Sequence, residues 1–198
     1  MELSTRHIVS LEQLIRLFKK NQWEQVSAMI VDAICDLEKA GAEFAAIAAN
    51  TPHNAYDNIQ RARLKKVGLL GTKPTMEYGF FQKVFQKCGI DTIIPDKTQR
   101  NYIDHTIWEK LSHGKITRDD RKKHKAIIKK LVNDGAEGVI LGCTELPSLI
   151  KSEDSDVPLF DTTHIHAMAI LDYAMEKNGK NKLRGEYNER KKNNIFLH

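Results

Sequence analysis

Gly135-Ala-Glu-Gly-Val-Ile-Leu-Gly-Cys143-Thr-Glu-Leu-Pro-Ser148 is the stretch that decides the fold. Gly138 to Leu141 is a short apolar run, which reads as a strand buried on both faces. Glu145-Leu-Pro-Ser148 reads as a helix start directly behind it. An echo of the stretch lies 94 positions upstream, in Gly41-Ala-Glu-Phe-Ala-Ala-Ile-Ala-Ala-Asn50. Each copy follows a long helical segment, opens with Gly-Ala-Glu and ends on a polar pair. Superposing the copies sets Ala49 opposite Cys143 and Asn50 opposite Thr144. A true repeat implies two halves facing one another across a cleft, with both strand ends approaching the same ligand.

Working outward, the same alternation of strand and helix recurs. Leu11, Leu14, Ile15 and Phe18 are spaced for one helical face, with Ser10 as cap. A second helix is predicted over Trp23 to Lys39 and is closed by Gly41. Phe44 to Ala48, Val67 to Leu70, Asp91 to Ile94 and Val157 to Phe160 read as further strands. Met76 to Lys87 reads as one helix stopped by Gly89, and two polar-faced helices follow over about 97–112 and 117–133. His164 to Glu176 is the last helix. Strands alternating with amphipathic helices mean an α/β fold with a mainly parallel sheet covered on both faces. Ligands of such sheets sit at the carboxyl ends of the strands, here just after Ala48, Leu70, Leu141 and Phe160. The expected organisation is two similar lobes with the active site in the cleft between them. The first lobe is residues 1–66, the second is 67–161, the last helix (162–176) packs back on the first lobe, and 177–198 is a basic tail.

Composition narrows the function classes. The chain has 198 residues and a net charge of +5. The segment 177–198 holds seven Lys/Arg and two Asp/Glu, which leaves 24 basic and 24 acidic residues before it. A neutral body with a basic tail does not suit a nucleic-acid enzyme, whose basic residues usually stripe the fold. No apolar run is long enough for a membrane-spanning helix, and the N-terminus lacks the pattern of a secretory signal. Three cysteines argue against a disulfide framework and for a reducing, cytoplasmic setting.

Cys143 is the leading candidate for chemistry. A helix N-terminus lowers a thiol pKa, and a thiolate there can serve as nucleophile or base. Thr144 can donate to a carboxylate, and Glu145 can orient a neighbour or cap the helix. Asn50-Thr51-Pro52-His53 offers donors at the other strand end. Gly71-Thr72-Lys73-Pro74-Thr75 can cradle an anion but matches no nucleotide-binding pattern. Asp161 can cap the last helix or hold an imidazole. His164 and His166 point to different sides, so one at most faces the cleft, and their spacing is weak support for a metal. Cys35 and Cys88 read as packing residues.

Ile140-Leu-Gly-Cys143-Thr-Glu-Leu-Pro-Ser-Leu-Ile150 resembles the second cysteine motif of the aspartate/glutamate racemase family. Four other stretches agree in order: Ala49-Asn-Thr-Pro-His53, Val67 to Met76, Gly135 to Val139, and Val157 to His166. The resemblance runs from about 20 to 176. It implies two α/β lobes, a homodimer, a small amino acid with a free carboxylate as substrate, and no pyridoxal phosphate or other cofactor. In such enzymes one thiol on each side of the α-carbon removes and returns the proton. The resemblance assigns Cys143 as the retained acid/base. It gives Asn50, Thr51, Thr72, Thr144 and Glu145 to substrate binding, with His53 and His166 as helpers, and places no metal.

The chain departs from the family pattern at three points. Ala49 stands where the first cysteine belongs, and alanine exchanges no proton. The opening strand with its glycine-rich loop and a strand–helix unit near 58–64 are missing. The expected activity is therefore racemisation impaired by Ala49. The alternatives are a single-cysteine decarboxylase of the same superfamily and a non-catalytic amino-acid binder.

Overall fold

The computed structural model describes residues 22–42 and 64–177, together with Gln13, Arg16, Leu17 and Lys20. The chain divides into two compact units, Met1–Ile47 and Ala48–His198. Within the first, helix α1 spans Trp23–Lys39, the bounds that its apolar spacing predicts. Val26 and Ala33 are buried on one face. The left-handed backbone of Gly41, φ 89°, closes the turn after it. The expected strand over 44–48 lies outside the described residues, as do Ala49, Asn50, Thr51 and His53 and most of the expected helix over 11–18.

The second unit holds a four-stranded parallel sheet in the order β2-β1-β3-β4. The strands are β1 (Lys66–Leu70), β2 (Asp91–Ile93), β3 (Val139–Leu141) and β4 (Leu159–Asp161). Gly68 pairs with Val139, and Val139 with Leu159, so the ends of β1, β3 and β4 stand level. In chain order the helices are α2 (Lys73–Glu77), α3 (Phe80–Lys87), α4 (Lys97–Glu109), α5 (Arg118–Asn133), α6 (Leu146–Leu149) and α7 (Thr162–Lys177). No helix among the described residues is long and apolar enough to cross a membrane.

Period-2 alternation in the strands builds two separate core layers. Leu70, Val139 and Leu141 pack with Ile103 and Ile107 of α4 and Ile127, Ile128 and Leu131 of α5. Val67, Leu69, Ile140 and Phe160 pack on the opposite face with Phe81 and Phe85 of α3. Gly68 lets α5 pack closely where it crosses β1, because a Cβ there would stand 3.0 Å from the Leu131 side chain, which would have to shift. Glu137, from the Gly-Ala-Glu motif, accepts the Lys65 and Lys66 amides at 2.6 and 3.3 Å. It thereby fixes the start of β1 beside β3.

Two sequence expectations are corrected. The single helix over Met76 to Lys87 is two helices, α2 and α3. Gly79 between them has φ 73°, a conformation that ends one helix and redirects the chain. Cys35 and Cys88 are exposed, not packed in the core, because Cys35 falls on the outer face of α1 and Cys88 caps the end of α3.

Candidate functional site

Three strand ends deliver the candidate residues to one edge of the sheet. Beyond β1 come Gly71 and Thr72, beyond β3 Gly142, Cys143 and Thr144, and at the end of β4 Asp161 and Thr162. The Gly142 amide donates to the Leu70 carbonyl at 2.7 Å. The Thr162 hydroxyl donates to the Leu141 carbonyl at 2.8 Å. Both neighbours are thereby tied to the end of β3. The approach of the first two ends needs glycine. A Cβ on Gly142 would stand 2.9 Å from the Leu70 oxygen, and one on Gly71 3.1 Å from the Gly142 oxygen.

Cys143 sits at the centre of this edge and is 7% exposed. Its thiol donates to Glu145 Oε2 at 2.9 Å, and the Thr144 hydroxyl donates to the same oxygen at 2.5 Å. Burial pushes the thiol up to about 12, and the hydrogen bond to the Glu145 carboxylate pushes it the same way. The Glu145 amide and the Thr144 hydroxyl pull it down by less. The expectation of an acidic thiol is therefore corrected. Helix α6 behind Cys143 is a single turn of four residues, too short for a substantial dipole, while a carboxylate faces the sulfur directly. Of the two roles open to Glu145, the structure shows the orienting one. Glu145 occupies the N-cap position of α6 but makes no side-chain cap bond; its carboxylate is taken by Cys143 and Thr144.

The other expected residues fall into three groups. Thr72 occupies the N-cap position of α2 in extended backbone but makes no side-chain cap bond; its hydroxyl lies 2.9 Å from that of Thr75. In this loop the Lys73 amide donates to Asp104 at 2.7 Å. Asp161 is the cap of α7, accepting the Thr163 and His164 amides at 2.9 and 3.0 Å. His166 is half-buried on α7 and His164 is exposed. Asn50, Thr51, His53 and Ala49 are not among the described residues. Among those that are, no three His, Cys, Asp or Glu side chains gather as a metal site.

Sequence reasoning missed Asp104, and it named Thr75 and Glu137 only as members of their motifs, without the contacts that they make. Asp104 acts across 31 positions and Glu137 across 72, so no local pattern names the partner of either. Thr75 carried a usable signal, since it follows Thr72 at i+3, one helical turn on.

Residues 61–170, which span the whole sheet and the Cys143 turn, match the Asp/Glu/hydantoin racemase family model. The chain belongs to that family. It is similar to a broad specificity amino-acid racemase of Bacillus subtilis (strain 168), 24% identical over 172 residues, covering 71% of this chain and 68% of the relative. A crystal structure of a candidate Asp/Glu racemase from Yersinia pestis is 34% identical with a TM-score of 0.76, covering 84% of this chain and 81% of that one. An aspartate racemase homologue from Pyrococcus horikoshii OT3 is 33% identical with a TM-score of 0.67, covering 77% and 75%. The matched span carries the Cys143 turn at the end of β3 of the parallel sheet.

Proposed function

We propose that the chain is an amino-acid racemase of the aspartate/glutamate type in which Cys143 carries the proton on one face of the α-carbon. It uses no pyridoxal phosphate. Ala49 occupies the partner position and impairs inversion. The observation that carries this reading is the hydrogen bond from the Cys143 thiol to Glu145 Oε2. A thiol held in this way can give its proton to an α-carbanion directly. To take a proton it first passes its own to Oε2, which leaves a thiolate beside a neutral carboxylic acid. The thiolate then accepts the α-proton, and the substrate carboxylate, held by Thr72, spreads the carbanion charge. On the far face Ala49 offers nothing to return the proton, so deuterium enters without inversion.

The test is α-proton exchange in deuterated water with each enantiomer of aspartate, glutamate and a panel of other amino acids. Exchange without inversion, abolished by Cys143→Ala, is the expected result. Ala49→Cys then restores inversion. Exchange that survives Cys143→Ala removes Cys143 from the reaction, and a folded protein that exchanges nothing is a binder, not a racemase.

The protonated resting thiol also favours a second reading, a decarboxylase. There the substrate loses one carboxylate as carbon dioxide and the Cys143 proton replaces it on carbon, so no base is needed. Carbon dioxide released from a malonate-type diacid, with no exchange into any amino acid, selects that reading.

A further inference from the structure

Thr75 occupies an unusual place at the candidate site. It lies on α2, one turn beyond Thr72, and touches the ends of two strands at once. Its hydroxyl is 2.9 Å from the Thr72 hydroxyl. Its methyl fills the space over both glycines of the corner. A Cβ on Gly71 would stand 2.8 Å from Thr75 Cγ2, and a Cβ on Gly142 3.2 Å from the same atom. Gly142 immediately precedes Cys143. One side chain therefore meets the β1 corner through a hydrogen bond and the β3 corner through van der Waals contact.

We propose that Thr75 is a positioning residue of the substrate site: its hydroxyl aims the Thr72 hydroxyl at the substrate carboxylate. This rests on the reading of Thr72 as a carboxylate ligand given above. The logic is one of donors and acceptors. A hydroxyl has one proton to donate. In the pair either oxygen can be the donor. A bound carboxylate needs a donor, so it selects the arrangement in which Thr75 donates to Thr72 and Thr72 donates to the substrate. Thr72 then reaches the anion already oriented and strengthened by the hydroxyl behind it. The amide of Lys73 cannot replace it, being held by Asp104.

The two halves of the side chain can be separated. Thr75→Val keeps the methyl contact with Gly71 and Gly142 and deletes the hydroxyl. Thr75→Ser keeps the hydroxyl and deletes the methyl. The readout is the dissociation constant of L-aspartate and of L-glutamate by calorimetry, on the full chain, with the melting temperature of each variant as a check of folding. Thr75→Val is expected to weaken binding about tenfold, the scale of one charge-assisted hydrogen bond, and Thr75→Ser to stay within about twofold. In a Thr72→Val background Thr75→Val is expected to add almost nothing, because its effect passes through Thr72. A purely structural residue gives the opposite pattern: Thr75→Val and Thr72→Val weaken binding additively, or Thr75→Ser does the greater harm. Either outcome overturns the proposal. If Thr72→Val weakens binding and Thr75→Val is silent, this inference fails and the carboxylate reading of Thr72 stands. If Thr72→Val binds both acids as tightly as the parent chain, or if the folded parent binds neither, the carboxylate reading fails and takes this one with it.

Discussion

Two carboxylates in this unit collect hydrogen bonds in the same manner and do opposite things. Asp120, on α5 and 1% exposed, accepts from the Tyr102 hydroxyl at 2.5 Å, the Thr117 hydroxyl at 2.5 Å and Lys110 Nζ at 2.8 Å. Burial raises its pKa, but the bonds from Lys110, Thr117 and Tyr102 outweigh this and hold it at about 2. Glu145 accepts from Cys143 and Thr144, and among the described residues no cation pairs with it. At Asp120 the cation cancels the charge, so the cluster is an inert pin joining α4 to α5. At Glu145 the charge is left to act on the thiol, one of its two donors and the one suited to acid–base chemistry. The difference teaches that hydrogen-bond number alone does not set the two regions apart; an uncompensated charge beside an ionisable donor does.

The widest test of the contrast is to remove one member of each region. Cys143→Ala is expected to lower α-proton exchange by about a thousandfold while leaving the thermal transition close to the parent's. Asp120→Ala is expected to do the reverse. It leaves the Lys110 ammonium without its buried partner and costs about 3 kcal/mol by chemical denaturation, while the folded fraction exchanges at the parental rate. Exchange lost in Asp120→Ala at a temperature where the variant is folded would join the two regions into one.

Acid exposes the same contrast with no substitution. Asp120 and Asp154 both fall to about 2 from an ordinary value of 3.8. At Asp154 burial is again outweighed, by Arg121, the Lys151 amide and Lys125. Both carboxylates are stronger acids in the folded chain. Their stabilisation is therefore complete above about pH 5 and is lost as the pH falls through 3.8 toward 2. Each contributes about 2 kcal/mol to that loss. Denaturation curves taken between pH 5 and 2 should show the decline, and Asp120→Asn should flatten its share. A parent whose stability is level across this window would contradict the assignment.

Much of the fold is legible in the sequence because its signals are local. The apolar runs at Val67, Asp91 and Gly138 fix three strands, the spacing from Val26 to Leu37 fixes α1, and Gly41 and Gly89 mark stops. The break at Gly79 was also within reach, since a glycine inside a helical pattern is a known point of interruption. The site is legible at Cys143 for another reason, its place at a strand end next to a polar turn. What stays hidden is set by rotamers and distant partners. Position alone does not say that Glu145 turns toward the sulfur instead of capping α6. The thiol's burial depends on Leu141, Leu146 and Leu149 packing around it, and that in turn depends on the whole sheet. The strand-end position of Cys143 is thus legible in the sequence, whereas the upward shift of its thiol is not.

The finest test concerns that acidity. Burial and Glu145 act in the same direction on the thiol, and Glu145→Gln separates them, because the amide keeps an acceptor oxygen for the S–H while losing the charge. The thiol pKa should fall part of the way from about 12 toward its ordinary value, since burial remains. Reaction with neutral iodoacetamide at pH 8 reads this out. Each unit of fall raises the thiolate fraction tenfold but makes that thiolate a weaker nucleophile, so the net gain is about threefold per unit. Cys35 and Cys88 are exposed and would react first, so the comparison belongs in a background where both are serine. Asp120→Asn in that background should leave the rate unchanged, as its carboxylate is compensated and faces other groups. An equal rate for Glu145→Gln and its parent would mean that burial alone sets the thiol. The two carboxylates would then differ only in where they lie, not in what they do.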